Sequence, residues 1–371
     1  MSSFLPLIIL NGLLVLLNAG PLYWQFLQGN SGAISMGVWV MIANVNGFVN
    51  MITWYGDALN RAPVWCDVSV KLRLGFEVGR LASVMCIARF LADIVSPRAT
   101  AITRRDRRQR AIFDYSVSFG VPLATMACHI IYQPNRFSIV RNVGCSPTSL
   151  MSWPTLLLRT IWPPVFAIIA VLYSTYTIYR LLRHRRNFGR VVAGAHSALT
   201  TTRFIRLAAL SFSYLAIGVP LTVYSTIGNI RSSARYLEYS WRYIHSSWHK
   251  TPVVINSTPV VPDLSTWADI IVGILFFAAF GFGTEALALY SRVTSILKIR
   301  RTPGSQSSGE SSLSNVAKLS IQGNSRVDGE DAWEADNALE TGHARPFHVR
   351  YPQQESGAGR GVKVVVEQEV V

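Results

Sequence analysis

Charge is what this sequence lacks first. Asp, Glu, Lys and Arg make up 15% of its 371 residues against 50% apolar residues, and the mean hydropathy is +0.28. Soluble domains carry about a quarter charged residues, so the balance excludes an ordinary water-soluble globule and predicts a polytopic membrane protein. Grouped histidines are missing too. His129 is the only histidine within an apolar run, and His245 and His249, four residues apart, have no third ligand beside them. A metal centre needs more, so no metal, cofactor or catalytic residue is assigned, which counts against an intramembrane enzyme. The last apolar run holds no lysine, which excludes a retinal Schiff base. No cysteine stands at the C-terminus, which excludes prenylation of this chain at a C-a-a-X box. Met1 to Leu7 contain neither a basic stretch nor a small-residue cleavage site, so the first apolar run is read as a retained helix rather than a signal peptide. No inverted repeat is visible, which counts against a transporter, the other alternative.

What is present is apolar and long. A helix crosses a hydrocarbon core of roughly 30 Å with about 20 residues. Seven runs of that kind lie near 4–26, 34–57, 67–94, 113–133, 155–179, 204–228 and 267–290. The second is the least apolar, interrupted by Asn44, Asn46, Asn50, Thr53 and Asp57. The expected fold is an all-α membrane protein: a seven-transmembrane-helix bundle over 1–290, then a cytosolic tail over 291–371 whose Ser, Gly, Asn and charge predict disorder. The net charge of +15 belongs to the first part, where 25 Lys/Arg stand against 10 Asp/Glu, while the tail holds 10 of each. These basic residues form short blocks between apolar runs, a membrane-edge pattern and not a nucleic-acid surface. With the N-terminus outside, the cytosolic loops carry 17 basic residues, seven of them from Arg180 to Arg206, and the outer loops carry 7. That asymmetry orients the chain N-terminus out and C-terminus in. The loop 27–33 has no charge and does not bear on the choice.

Cys66, before the third run, and Cys145, in the second outer loop, would then face an oxidising compartment. They form either a disulfide or two free thiols, since spacing along the chain does not supply the required geometry. Cys86 and Cys128 fall inside apolar runs, as small buried residues. Asn256, Ser257 and Thr258 make a glycosylation acceptor pattern, followed by Pro259. The third run is the odd one. Lys71, Arg73, Glu77 and Arg80 lie in its outer half to middle, where an ionised group costs roughly 2.5 to 3.5 kcal/mol on insertion scales. Spacings of four and three let Arg73, Glu77 and Arg80 link along one helix face, while Lys71 and Arg73 can instead snorkel to the outer headgroups. A structural ion set and a wet, ligand-facing cavity both fit. Arg89 falls on the other side of the helix, near the cytosol. Pro163, Pro164 and Pro220 predict kinks in the fifth and sixth helices, and Gly281 and Gly283 permit close helix approach beside Glu285. In the tail, residues 306–314 cluster hydroxyls that phosphate could mark for a partner.

Several separate stretches resemble one family. Trp65-Cys66-Asp67 with Lys71, Leu72 and Cys86 to Arg89, the run from Tyr179 to Phe188, Leu199 to Leu207, Tyr239 to His245, and Phe280 to Ala286 are similar to the fungal mating-pheromone receptors for lipidated peptides. These are the a-factor type within class D of the G-protein-coupled receptors, here basidiomycete-like. The resemblance covers about 4–290, and departs where the family usually has a proline near Leu81 and a basic residue at Phe90. It implies a multi-pass plasma-membrane receptor, surrounded by membrane lipids, that binds a farnesylated peptide pheromone outside and activates a heterotrimeric G protein inside. A homodimer is left open and no nucleic acid is expected. Arg73, Glu77, Arg80, Trp241, Tyr243 and His245 are the expected ligand groups. Arg89, Arg183, Arg185, Arg186, Arg203 and Arg206 are the expected G-protein contact.

Overall fold

Residues 4–96, 104–183, 201–232, 239–247, 252–258, 262 and 264–282 are described in the computed structural model. All lie in the first of two units, Met1–Ile299; the second, Arg300–Val371, falls outside the described residues. Arg185, Arg186, Glu285 and the serine cluster at 306–314 also lie outside them.

The first two helices are set by their ends. α1 (Leu5–Gln28) has Pro6 in its first turn and stops at Gly29, whose φ of 66° is a left-handed conformation that suits glycine. The Gly29 N–H donates to the Gln25 and Phe26 carbonyls. Asn30 then caps α2 (Ser31–Thr53), its side-chain oxygen accepting from the Ala33 N–H at 3.4 Å. The connection is therefore two residues, shorter than the expected 27–33 loop, and the two helices pack together.

α3 (Pro63–Val95) runs 33 residues, about 50 Å at the helical rise. Every side chain from Val78 to Ala88 is buried. The asparagines that interrupt α2 turn toward α3: the Asn46 side chain donates to the Ser69 carbonyl at 3.1 Å, and Asn50 donates to the Ser69 hydroxyl at 2.7 Å. Polar residues in an apolar run thus serve as helix-to-helix bonds.

The fourth rod starts earlier than 113. α4 (Arg104–Tyr115) and α5 (Val121–Cys128) are joined by a π-helical stretch, Ser116–Gly120, so arginines read as loop stand on a helix. Pro122 explains the interruption, because it has no N–H for the Ser118 carbonyl four residues back. That oxygen accepts the Trp39 indole N–H instead, at 2.9 Å. The indole in turn crosses α3 at Gly79, where a Cβ would strike the ring.

The fifth rod has the same construction. α6 (Trp153–Thr155) leads into a second π stretch, Leu156–Thr160, and then α7 (Trp162–Arg183). Pro163 and Pro164 stand in the first turn of α7, so the expected break falls at the mouth of the rod rather than within it. α8 (Thr201–Ser232) runs through Pro220, α9 (Trp241–Ile244) is one turn, and α10 (Leu264–Phe280) closes the described chain. The structure is mostly helical. Among the described residues five stretches are long and apolar enough to cross a membrane: Leu5–Gln28, Ser31–Thr53, Arg105–Ile131, Trp153–Arg183 and Thr202–Gly228. α3 has the length but also the charges, and Thr266–Phe280 is a shorter apolar helix.

The chain is not all-α. β1 (Phe137–Val140), β2 (Gly144–Ser146) and β3 (Val253–Asn256) form a sheet in the order β2-β1-β3, antiparallel on one side and parallel on the other. Ile139 faces Cys145 across the hairpin and Ile255 on the other edge. Loops joining helices carry unmet backbone groups, and pairing them as strands meets the need. Cys145 is bonded to Cys66, with Cα atoms 5.2 Å apart, which settles the two readings in favour of the disulfide. Trp54, Val70, Phe137 and Ile139 bury it. Cys86 is buried as expected, whereas Cys128 is only half-buried.

The bridge closes a loop of sequence separation 79, worth on the order of 4 kcal/mol in the chain-entropy account. Cys66→Ser and Cys145→Ser are each expected to lower the unfolding temperature in detergent, and the double variant to fall no further than either. Additive losses in thermal unfolding would show that the two sulfurs act separately.

Candidate functional site

A cavity of about 530 Å³ lies between α3, α7, α8 and α10. Two of these helices present a face to it at helical spacing: Arg73, Phe76, Glu77, Arg80 and Leu81 from α3, and Tyr214, Ile217, Leu221 and Ser225 from α8, while α7 adds Pro163. Asp269, Val272 and Leu275 come from α10, and Arg159 and Thr160 from the π stretch before α7. The walls are therefore apolar, with a band of ions across them.

These ions do not link along α3 as the spacing suggested. Arg80 Nη1 lies 2.7 Å from Asp269 Oδ1 on α10, and Glu77 Oε2 lies 3.5 Å from Arg159 Nη2. Arg73 approaches the Ser146 hydroxyl at 3.4 Å and makes no ion pair among the described residues. A neighbouring pair on one helix contributes about 0.2 to 0.5 kcal/mol, too little to offset removing two ions from water, which costs several kcal/mol each. Partners from other helices approach from the open side and close the site at the same time. The Arg80 side chain is 9% exposed, and its Nε also donates to the Phe76 carbonyl at 3.2 Å. Lys71 turns inward instead of snorkelling, with Nζ 2.9 Å from His129 Nδ1 and 3.4 Å from Gln133 Oε1. His129 Nε2 then donates to the Thr148 carbonyl at 3.1 Å. A smaller recess of about 20 Å³ shares Arg73, Phe76 and Asp269 with the cavity and adds Asn11, Asn46, Asn50 and Thr266; it has room for one water.

Three of the six expected ligand groups come together here and three do not. Trp241, Tyr243 and His245 lie outside the cavity lining. Trp241 stacks on His245 at 3.9 Å, and the His245 ring nitrogens sit 2.9 Å from the Trp241 carbonyl and 3.0 Å from that of Ile130. They fasten α9 to the end of the fourth rod. In the connection before β1, Arg136 grips Asp67 with Nε at 2.8 and 3.1 Å, and these bonds hold its guanidinium above its ordinary pKa.

At the opposite end of α3, Arg89 Nη2 lies 3.7 Å from Asp114 Oδ1, with its guanidinium 4.1 Å from the Phe113 ring. Asp114 is 2% exposed and accepts the Ser31 hydroxyl at 2.5 Å. Arg183 is exposed and donates to the Tyr179 hydroxyl at 2.9 Å, Arg203 donates to the Gln28 side chain, and Arg206 is half-buried. Among the described residues no group of three or more His, Cys, Asp or Glu could hold a metal.

A profile described as Pheromone A receptor matches residues 6–300, which takes in every helix above. The chain belongs to the pheromone A receptor family. It is 32% identical to the pheromone B alpha 3 receptor of Schizophyllum commune over 73% of this chain and 44% of that protein. It is 30% identical to pheromone receptor 1 of Ustilago hordei over 71% of this chain and 75% of that one. The match to the pheromone a factor receptor of Saccharomyces cerevisiae is 27% identical over 77% and 61%. The chain spans about half the length of the Schizophyllum commune relatives it matches. In this family member, sequence reasoning missed Arg159, Asp269 and Asp114. Asp269 had a signal, as a carboxylate in an apolar run that must find a cation, but nothing in the sequence said which one.

Arg80→Gln and Asp269→Asn each strand a buried ion, at a cost of about 3 to 5 kcal/mol. The combined variant is expected to lose clearly less than the sum in thermal unfolding, because neither ion remains. Additive losses would mean that the two groups do not meet.

Proposed function

We propose that this pheromone A receptor family member is a G-protein-coupled receptor for a farnesylated peptide mating pheromone. In this reading residues 1–290 form a seven-transmembrane-helix bundle in the plasma membrane, N-terminus outside and C-terminus cytosolic, with 291–371 as a cytosolic tail. The observation that carries it is the cavity between α3, α7, α8 and α10, apolar along its walls and ionic across its middle. A ligand that is part lipid and part peptide needs both surfaces in one site, and small-molecule sites pair apolar walls with a few placed polar groups. The disulfide and Asn256 fall on the outer side. Asn256 Oδ1 accepts from the Thr258 N–H at 3.2 Å and its hydroxyl at 2.5 Å, and Asn256 is the proposed glycosylation site. The arginines at the end of α7 and the start of α8 fall on the inner side, where they would contact a heterotrimeric G protein together with Arg89.

The test is a cell reporter for G-protein activation, presenting one farnesylated peptide at a time to the full chain. At least one lipidated peptide is expected to activate it while the same peptides without lipid do not. Solute flux in place of nucleotide exchange, or no response to any lipidated peptide, would count against the reading.

Changing Arg183, Arg185 and Arg186 together to alanine is expected to leave surface expression and pheromone binding unchanged and to abolish signalling. Normal signalling from the triple variant would remove these three from the G-protein contact.

A further inference from the structure

We propose that the outward face of α4 binds the headgroup of an anionic phospholipid between Arg105 and Arg108. This goes beyond the receptor reading: it needs the fourth rod to cross a bilayer and nothing of the ligand. The stretch Arg105–Ile131 has 27 residues, about 40 Å at the helical rise, against roughly 30 Å of hydrocarbon. The surplus lies at the arginine end, where residues 105–110 hold four arginines and no apolar side chain. That end therefore stands among headgroups.

The helix sorts these residues by face. On the packed side the Arg110 guanidinium lies 4.5 Å from the Phe90 ring, Asp114 meets Arg89 and Ser31, and the Ser118 carbonyl takes the Trp39 indole. On the other side stand Arg105, Arg108, Ile112 and Tyr115, at spacings of three, four and three, and all four are exposed. Neither Arg105 nor Arg108 makes an ion pair among the described residues, and Asp106 falls on the far side of the helix from Arg108. Two guanidinium groups one turn apart can share a phosphate, each offering a flat fork of donors. Ile112, one turn further on and 55% exposed, and then Tyr115 would lie along the acyl chains. These apolar residues decide the partner. A protein docking on the end of the bundle would meet the arginines alone, whereas a phospholipid meets charge first and then the apolar face, in the order the helix presents them.

Two lipids with the same short chains isolate the headgroup: dioctanoyl phosphatidylserine, which is anionic, and dioctanoyl phosphatidylcholine, which is neutral overall. With the full chain in neutral detergent, affinity is read from the lipid concentration that raises the unfolding temperature. Phosphatidylserine is expected to bind more tightly. Arg105→Gln and Arg108→Gln should each weaken its binding about fivefold, the share of one arginine near an anionic surface, and leave phosphatidylcholine unchanged. Arg107→Gln removes an equal charge one residue off that face and should change neither. Equal binding of the two lipids by the unmodified chain overturns the proposal, a result that needs no variant to fold. A loss at Arg107 as large as that at Arg108 also overturns it, since the attraction would then belong to the whole basic end and not to a site. Stabilisation by inorganic phosphate equal to that by phosphatidylserine removes the lipid from the proposal and overturns it. If the Arg105→Gln, Arg108→Gln double variant binds phosphatidylserine normally but loses G-protein activation, the face belongs to a protein partner and the lipid site is wrong.

Discussion

An ion held in an apolar interior needs a partner, and α3 imposes that need on the helices around it. Glu77 takes Arg159 from the approach to α7, Arg80 takes Asp269 from α10, Arg89 takes Asp114 from α4, and Lys71 takes His129 just past α5. Apolar side chains tolerate sliding, because many packings remove similar area from water. Ion pairs do not, since a shift of one helical turn, about 5.4 Å, separates them and leaves both charges buried alone. The charges that make α3 a poor candidate for crossing a membrane unaided are therefore the groups that fix the register of its neighbours.

The end of α3 beside the disulfide is held by other means. The Asn50 side-chain oxygen accepts from the Trp65 indole at 3.2 Å and from the Cys145 N–H at 3.4 Å, beside the disulfide. One amide thus joins α2, α3 and the β2 strand. Pro122 in the fourth rod, and Pro163 and Pro164 in the fifth, act differently from simple kinks. Pro122 frees a carbonyl for Trp39, which ties α2 to the fourth rod. The π stretch before α7 carries Arg159 and Thr160 to the cavity. Irregular backbone appears where a neighbouring group uses what the helix gives up.

Much of this could be read in the sequence, and the limits have a physical pattern. Long apolar runs and their order were legible because burying twenty apolar residues is a composition property. That Arg73, Glu77 and Arg80 need polar partners or water followed from the cost of burying charge. Their partners did not, because spacing reports only neighbours on the same helix, and the strongest pairings cross between helices. The ends of helices were poorly legible: Gly29 and Asn30 shorten one loop to a turn, and Arg104 begins a rod expected at 113. The sheet was invisible since each strand is three or four residues long. The aromatic stretch at 241–245 was legible as a cluster but its surroundings were not, because packing over a helix end and facing a cavity require the same residue types.

The Arg80–Asp269 pair also has a place in time. Asp269 is synthesised 189 residues after Arg80, so at ordinary translation rates the arginine waits roughly 10 to 40 seconds for its counter-ion. During that interval α3 must be sheltered by groups already made, and Asn46 and Asn50 on α2 are among the few that precede it. The last of the described helices thus neutralises a charge buried early in the chain.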